Sequence, residues 1–313
     1  MLEGLRNERG AILAFTAIAM VAFLSFAVVG IDLARLAFTA TEAQMVADAA
    51  ATAGASALFE NRSAVAQAQI VALQNTIDGR PASLGGDAIE IGHYEFATHS
   101  FVAGLTPHNA VRATAQSRIS NFIAAILGTP STVVSKSAVA AAGGVGSDNP
   151  VLPITVGECH FDDFQNSMSC ADLPTLKQVP NTSENSAWTS LSVTSSSTDG
   201  VRDYLPTSCG GLGLSAPTLR TGDLISVSGG QNATLLKIIA SCVSDGMKDY
   251  VIPVVPCGSY SKPVVVRGFA SIHVDSVKTT GNKKGINLTT ICRTTRGPVT
   301  GESFGTTSVA MVR

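Results

Sequence analysis

No proline precedes Pro81, no cysteine precedes Cys159, and no charged residue interrupts Ala11–Ile31. The first absence removes the strongest helix breaker from the N-terminal quarter of the chain. The second confines any cysteine chemistry to the C-terminal half, and the third leaves a run of apolar residues with only Thr16 and Ser25 as polar side chains. Aromatic residues are scarce at 5%, and charged residues make up 14%, so packing relies on small and β-branched side chains. With a formal net charge of −2 and no basic block, nucleic acid is excluded as a partner, and no acidic tail suggests a disordered arm. There is no C-x-x-C and no compact His/Cys spacing to hold zinc. There is likewise no phosphate-binding loop, dinucleotide fingerprint or G-x-S-x-G elbow.

The uncharged run is the dominant feature that is present. About 20 apolar residues in a helix cover a hydrocarbon core of roughly 30 Å, and only a helix satisfies its own backbone there. Arg6 and Arg9 precede the run, while Asp32 and Arg35 follow it. This basic bias places residues 1–10 in the cytoplasm, 11–31 across the membrane and the rest outside. A cleaved signal peptide would have an apolar region of only about 7–15 residues and a small-residue cleavage site, and Asp32-Leu-Ala-Arg is a poor one. A buried helix in a soluble core is disfavoured by the length of the run and by its flanking charges.

The expected fold class is α+β. The alanine-rich segment 32–58 continues the membrane helix, with Leu33, Leu36, Ala40, Ala43 and Ala47 at helical spacing and Gly54 as its weak point. That stripe suits either close helix–helix association with another copy or packing on the chain's own sheet. A second helix, capped by Asn61 or Ser63, runs to about Gln74 and is ended by Gly79-Arg-Pro81. Strand-like alternation follows at 88–94, 100–103 and 110–116, then a helix over 119–127 and a strand over 131–142. Residues 32–142 thus read as a small α+β domain, and Gly143–Pro150 as a linker. Residues 151–313 read as a mostly β domain with one helix near 232–243 and a long ordered loop region over 176–222.

All six cysteines, Cys159, Cys170, Cys209, Cys242, Cys257 and Cys292, fall in the part placed outside the membrane. An even number there reads as disulfides formed in an oxidising compartment. Sequence does not choose among the pairings; Cys159–Cys170 and Cys242–Cys257 close the shortest loops. Reduced buried thiols are the alternative.

Glu8-Arg-Gly-Ala, the apolar run, Gly30-Ile-Asp-Leu-Ala-Arg35 and Ala43-Gln-Met-Val-Ala-Asp-Ala-Ala-Ala-Thr-Ala occur in that order. Together they resemble the N-terminal Tad segment of TadG-like proteins of the Flp (tight adherence) pilus-assembly systems. Ile91-Gly-His-Tyr-Glu-Phe, Asn109-Ala-Val-Arg-Ala-Thr and Ser137-Ala-Val-Ala-Ala resemble the domain that often follows it, so the likeness covers about the first 142 residues. It implies a bacterial envelope protein tied to pilus assembly or surface attachment. Many such proteins carry a von Willebrand A-type domain with a D-x-S-x-S metal motif; this chain lacks that pentapeptide, so metal-dependent adhesion is not expected. Prepilin processing is not expected either, because Glu8 stands fourth and Arg9 fifth after Gly4.

Three further clusters carry weaker chemistry. Leu288-Thr-Thr-Ile-Cys292-Arg293 resembles the threonine-rich strand before a sortase cysteine, with His273 and His160 as the histidines of that region. A disulfide role for Cys292 is favoured over catalysis. Glu158-Cys-His-Phe-Asp-Asp163 concentrates ligand-type residues without a fourth ligand in pattern, and reads as a polar loop beside a disulfide. Sequons at Asn61, Asn181, Asn232 and Asn287 are uninformative in a bacterial protein.

The sequence therefore predicts a non-catalytic, single-pass inner-membrane component of a Tad/Flp pilus-assembly or secretion apparatus. No cofactor or metal is expected, and its partners would be other pilus-assembly or envelope proteins. A minor pilin-like filament subunit, self-associating through the N-terminal helix, is the alternative. An envelope cysteine enzyme stands behind both.

Overall fold

The structure, a computed structural model, describes residues 3–60, 62–126, 128–181, 185–193, 198–258, 260 and 263–312, with the side chains of 3–9, 11, 123, 198 and 199 outside that description. It opens with α1 (Glu3–Phe59), one unbroken helix of 57 residues, about 86 Å long at 1.5 Å per residue. Next come α2 (Ala64–Leu73), β1 (Thr76–Ile77), β2 (Arg80–Pro81), β3 (Ile89–Glu95), β4 (Ser100–Ala103), β5 (Ala110–Ser120), α3 (Ile123–Ile126) and β6 (Ser131–Val145). The chain continues through β7 (Ser147–Asp148), β8 (Ile154–Gly157), α4 (Asp162–Ser167), β9 (Thr175–Val179), β10 (Ser186–Thr189), α5 (Thr198–Arg202), β11 (Leu219–Arg220), β12 (Leu224–Ile225) and β13 (Val227–Ser228). It ends with α6 (Ala233–Ser244), β14 (Asp249–Val255), β15 (Val264–Val265), β16 (Gly268–Lys278), β17 (Gly285–Ile291), β18 (Arg293–Thr294), β19 (Val299–Thr300) and β20 (Thr306–Val312).

The chain divides into two compact units: Met1–Ala50, Ala68–Ile89 and Ala113–Ala138 form one, and Ala51–Gln67, Glu90–Arg112 and Val139–Arg313 form the other. The helix α1 and the long strands β5 and β6 supply residues to both.

In the first unit, α1 changes character along its length. Its large apolar side chains from Ile12 to Phe26 are all exposed, Phe26 by 80%. The hydroxyls of Thr16 and Ser25 turn back to the carbonyls of Ile12 and Val21, each at 2.8 Å. This helix is long and apolar enough to cross a membrane, and none of its most apolar 18-residue window is buried. Further on, Thr39, Ala43, Val46, Ala47 and Ala50 are buried, at the three- and four-residue spacing of one helix face. The alanine stripe is thus covered within the chain, while Leu33 remains 61% exposed.

The expected helix over 119–127 is a correction. Strand β5 extends through Ser120, with Ile119 buried between exposed Arg118 and Ser120, the period-2 alternation of a strand. Only Ile123–Ile126 is helical, and Leu127 lies outside the described residues. The second helix begins as expected: Ser63 Oγ accepts from Ala66 N at 3.2 Å. Asn61, the other expected cap, lies outside the described residues.

In the second unit, a seven-stranded sheet runs β13-β10-β8-β14-β16-β17-β9. Its neighbours are antiparallel except for the parallel pair β8–β14. Helix α6 covers it, burying Leu235, Leu236 and Ile239 in a core with Ile154, Ile252, Ile272 and Leu288. Asn232 caps α6, its Oδ1 accepting from Thr234 N and Leu235 N at 3.0 and 3.2 Å. The region 176–222, expected as loop, contains β9, β10, α5 and β11; Trp188 in β10 is buried and its indole N–H donates to the Gly230 carbonyl at 2.9 Å.

A second sheet follows the order β18-β20-β6-β5-β3-β4, with β19 also on β6. Residues Val139–Gly144 of β6 pair antiparallel with Val312–Thr307 of β20. Residues 143–150, expected as a linker, hold the end of β6 and the short β7. Gly143 and Gly144 are buried there because β19 crosses them closely; a Cβ on Gly144 would collide with the carbonyl oxygen of Glu302. Glycine at these positions serves close approach rather than freedom of motion.

All six cysteines are paired: Cys159–Cys257, Cys170–Cys292 and Cys209–Cys242. The short-loop pairings Cys159–Cys170 and Cys242–Cys257 are therefore corrected. The reason is topological. The parallel pairing of β8 with β14 sets Val255 opposite Gly157, so Cys159 and Cys257, each two residues further on, emerge side by side. Cys242 lies in α6 and is buried against the turn that carries Cys209.

Candidate functional site

The residues expected to mark the membrane exit form a connected cluster within the first unit. Asp32 and Arg35 are three residues apart on α1 and so share a face. Arg35 donates to both carboxylate oxygens of Asp78, through Nε at 3.1 Å and Nη2 at 3.0 and 2.8 Å. Its Nη1 donates to the Ser120 carbonyl at 3.2 Å. A two-pronged guanidinium–carboxylate pair fixes orientation as well as distance. Asp78 is itself held: its backbone N–H donates to Glu42 Oε2 at 2.8 Å. The bond to Asp78 and the charges of Asp78 and Asp32 raise the Arg35 pKa above its ordinary value, against a smaller lowering by desolvation.

Asp32 serves a different segment. Its carboxylate accepts from Phe122 N at 3.0 and 3.2 Å and from Ala124 N at 3.4 Å. These N–H groups belong to the residue before α3 and to its first turn, where no intrahelical acceptor exists. A carboxylate on α1 thus does for α3 what a local capping residue would do. The side chains of Arg6 and Arg9, the other two expected topology residues, lie outside the described residues.

Asp78, Glu42 and Ser120 were not singled out from sequence. The signal for Asp78 was there: Asp78-Gly79 is a two-residue loop between β1 and β2, with Ile77 paired to Arg80. Both loop residues have positive φ, 51° and 71°, as a type I′ hairpin turn requires. The partners of Asp32 are backbone groups some ninety residues away, and no local pattern announces them.

In the second unit, the motif beginning at Asn109 is structural. Asn109 is buried; its side chain accepts from Tyr94 N at 2.7 Å and donates to Tyr94 O at 3.0 Å. Its own carbonyl accepts from Ala142 N at 2.8 Å. Arg112 pairs with Glu90 at 3.1 Å and lies 4.4 Å from the centre of the Phe101 ring.

For catalysis the cysteine reading meets a direct obstacle, since Cys292 is bonded to Cys170 and is not a free thiol. His273 Nδ1 contacts Asp249 Oδ1 at 2.6 Å. The segment Glu158–Asp163, expected as a loop, is a 3₁₀ turn running into α4. Among the described residues, no group of three or more His, Cys, Asp or Glu side chains could hold a metal ion. A cavity of about 430 Å³ is lined by Phe59, Pro107, His108, Ser167, Met168 and Cys170, the last held in its disulfide.

No curated protein and no solved structure matches the chain. The Tad-like Flp pilus-assembly family model matches residues 43–166, less than half of the chain. The match takes in the alanine-rich half of α1 and continues past residue 142 through β6, β8 and most of α4. It crosses the expected linker, into which β6 also extends. Residues 43–166 are thus similar to the Tad-like Flp pilus-assembly family, and in this chain they begin within a helix long and apolar enough to cross a membrane.

Proposed function

We propose that the chain is a non-catalytic, single-pass component of a bacterial Tad/Flp pilus-assembly or secretion apparatus. It sits in the inner membrane with its N-terminus in the cytoplasm and its bulk in the periplasm, and acts through contacts with other pilus-assembly or envelope proteins. The observation that carries this reading is the division of α1. One unbroken helix leaves its apolar side chains exposed over Ile12–Phe26 and buries its small ones over Ala43–Ala50. A soluble protein has no use for so large an exposed apolar surface. Residues 1–10 would be the cytoplasmic tail, 11–31 the span, and Arg6, Arg9, Asp32 and Arg35 the residues that set direction and exit. Three disulfides beyond the span favour an oxidising compartment for that part.

The filament-subunit alternative draws no support from the alanine stripe. Ala43 and Ala47 are 0% exposed, so that part of the stripe is already covered within the chain. Fractionation of native cells with protease protection tests the proposal. The chain should sediment with inner membranes, remain there in alkaline carbonate, and be digested from the periplasmic side only. Recovery in the cytosol with alkylatable thiols would overturn it.

A further inference from the structure

We propose that Phe122 and α3 make a second membrane contact, seated in the interfacial layer of the same leaflet from which α1 emerges. The inference rests on the reading of α1 as a membrane anchor. Asp32 is the first charged residue after the apolar run, and so marks where α1 reaches the headgroup region. Its carboxylate holds Phe122 N at 3.0 Å and Ala124 N at 3.4 Å. The start of α3 is thereby fixed one side-chain length from that level, and Arg35, bonded to the Ser120 carbonyl, holds the preceding residues there too.

The side chains presented at this level are apolar and unpartnered. Phe122 is 59% exposed and Ile126 is 80% exposed, and Phe122–Leu127 contains no charge. On α1 itself, Ile31 and Leu33 are 55% and 61% exposed. A hollow of about 230 Å³ lies between the two elements, lined by Val29, Leu33, Leu36 and Ala124 along with Asp32, Asn121 and Thr132. Its lining mixes apolar side chains with Asp32, Asn121 and Thr132, the mixture that the interfacial layer accommodates. The patch is thus continuous with the span, and what surrounds the span covers it. An aromatic and an isoleucine left in water at this level would forgo the burial that the interface supplies. Two points of attachment also fix the rotation of α1 about its own axis, which a lone span leaves free.

The test uses the full chain in liposomes, with lipids brominated near the headgroup or deep in the acyl chain as quenchers. Trp188 is the one native tryptophan and is buried, so the unmodified chain supplies the background signal. In Ile126→Trp, and independently in Phe122→Trp, the added emission should be quenched by about half with the shallow bromolipid and little by aqueous iodide. Phe23→Trp reports the anchor and should respond to the deep bromolipid. Iodide quenching of both α3 probes with Phe23→Trp still quenched in the membrane would overturn the second contact and leave the anchor standing. Shielding of the α3 probes from iodide and bromolipid alike would place protein on the patch and also overturn it. Failure of Phe23→Trp to meet bromolipid would overturn the anchor itself.

Discussion

Asn109 is a small residue with a large share of backbone bookkeeping. Its side chain satisfies both the N–H and the carbonyl of buried Tyr94, so its removal strands two polar groups where water does not reach. Asn109→Ala should destabilise the second unit by about 2–4 kcal/mol, read as a lower midpoint in urea unfolding, whereas Arg112→Ala, at a half-exposed pair, should cost about 1 kcal/mol or less. Two tyrosines set the alkaline limit. Burial pushes Tyr250 up to about 12, and burial together with the Glu158 charge does the same for Tyr260. An unfolded tyrosine titrates near 10. A raised folded pKa means the stabilising contribution is whole below about pH 10 and is lost as pH climbs toward about 12, by up to roughly 3 kcal/mol for each ring. The two differ in their hydroxyls. Tyr250 donates to the Met247 carbonyl at 2.9 Å, while the Tyr260 hydroxyl has no hydrogen-bond partner among the described residues. At pH 8, Tyr260→Phe should therefore be neutral or slightly stabilising and Tyr250→Phe should cost about 1 kcal/mol; each should flatten the loss of stability between pH 10 and 12 in pH-jump unfolding.

At the level of elements, the tie between α1 and α3 is made by one carboxylate. Asp32→Ala removes the acceptor for Phe122 N and Ala124 N, and should destabilise the first unit by about 1 kcal/mol, the usual worth of an N-cap. Amide exchange of Phe122 and Ala124 should quicken more than that of Ile119. Strand β6 offers a sharper test, because its glycines were read as a linker. Gly144→Ala forces a methyl into the Glu302 carbonyl and should cost about 2 kcal/mol or more by overpacking, whereas a flexible linker would accept alanine without loss.

These elements also mark how far sequence carries. The helix α1 was legible because 57 residues without proline, rich in alanine and leucine, leave no competing structure. Strands β3, β4 and β5 were visible in their alternation. The extension of β5 over Ile119 was not, since Ile119-Ser-Asn-Phe-Ile-Ala-Ala-Ile-Leu carries apolar spacing that suits a helix as well as a strand end. The glycines of β6 failed for a related reason: Gly-Gly-Val-Gly signals freedom or close approach equally, and only the crossing of β19 decides. Strand β20 was passed over although Thr-Thr-Ser-Val-Ala-Met-Val is a plausible β run, because its partner lies far back in the chain. The disulfides show the same limit: loop length favoured near neighbours, and the parallel β8–β14 contact chose otherwise. At the candidate site, Asp32 and Arg35 stand out in the sequence as the charges that follow the apolar run, but their partners Phe122, Ala124, Asp78 and Ser120 lie far along the chain and carry no local signal.

On the scale of the whole molecule, β20, at the end of the described chain, returns to pair with β6, which lies before the expected linker and runs into it. A fragment ending at residue 150 would lack the partner of Val139–Gly144 and expose that strand as an unpaired edge. Such a fragment should be insoluble or rapidly proteolysed when expressed beside the full chain. In the full chain, limited thermolysin digestion should spare the bond before Val145, since Gly143–Val145 and Ser147–Asp148 are paired rather than loose. Stable folding of the 1–150 fragment would contradict this architecture.

The distance in sequence between β6 and β20 has a consequence in time. Every strand of the seven-stranded sheet from β8 to β17 lies between them, so β6 is synthesised long before the strand that covers it. At ordinary elongation speed the wait is on the order of ten seconds. If the chain leaves the cytoplasm by the route its N-terminus suggests, β6 spends that interval on the far side of the membrane, open to any strand that can pair with it. Until β20 arrives, Val139–Gly144 stays an open edge, so the order of synthesis makes its closure a late event in this sheet's assembly.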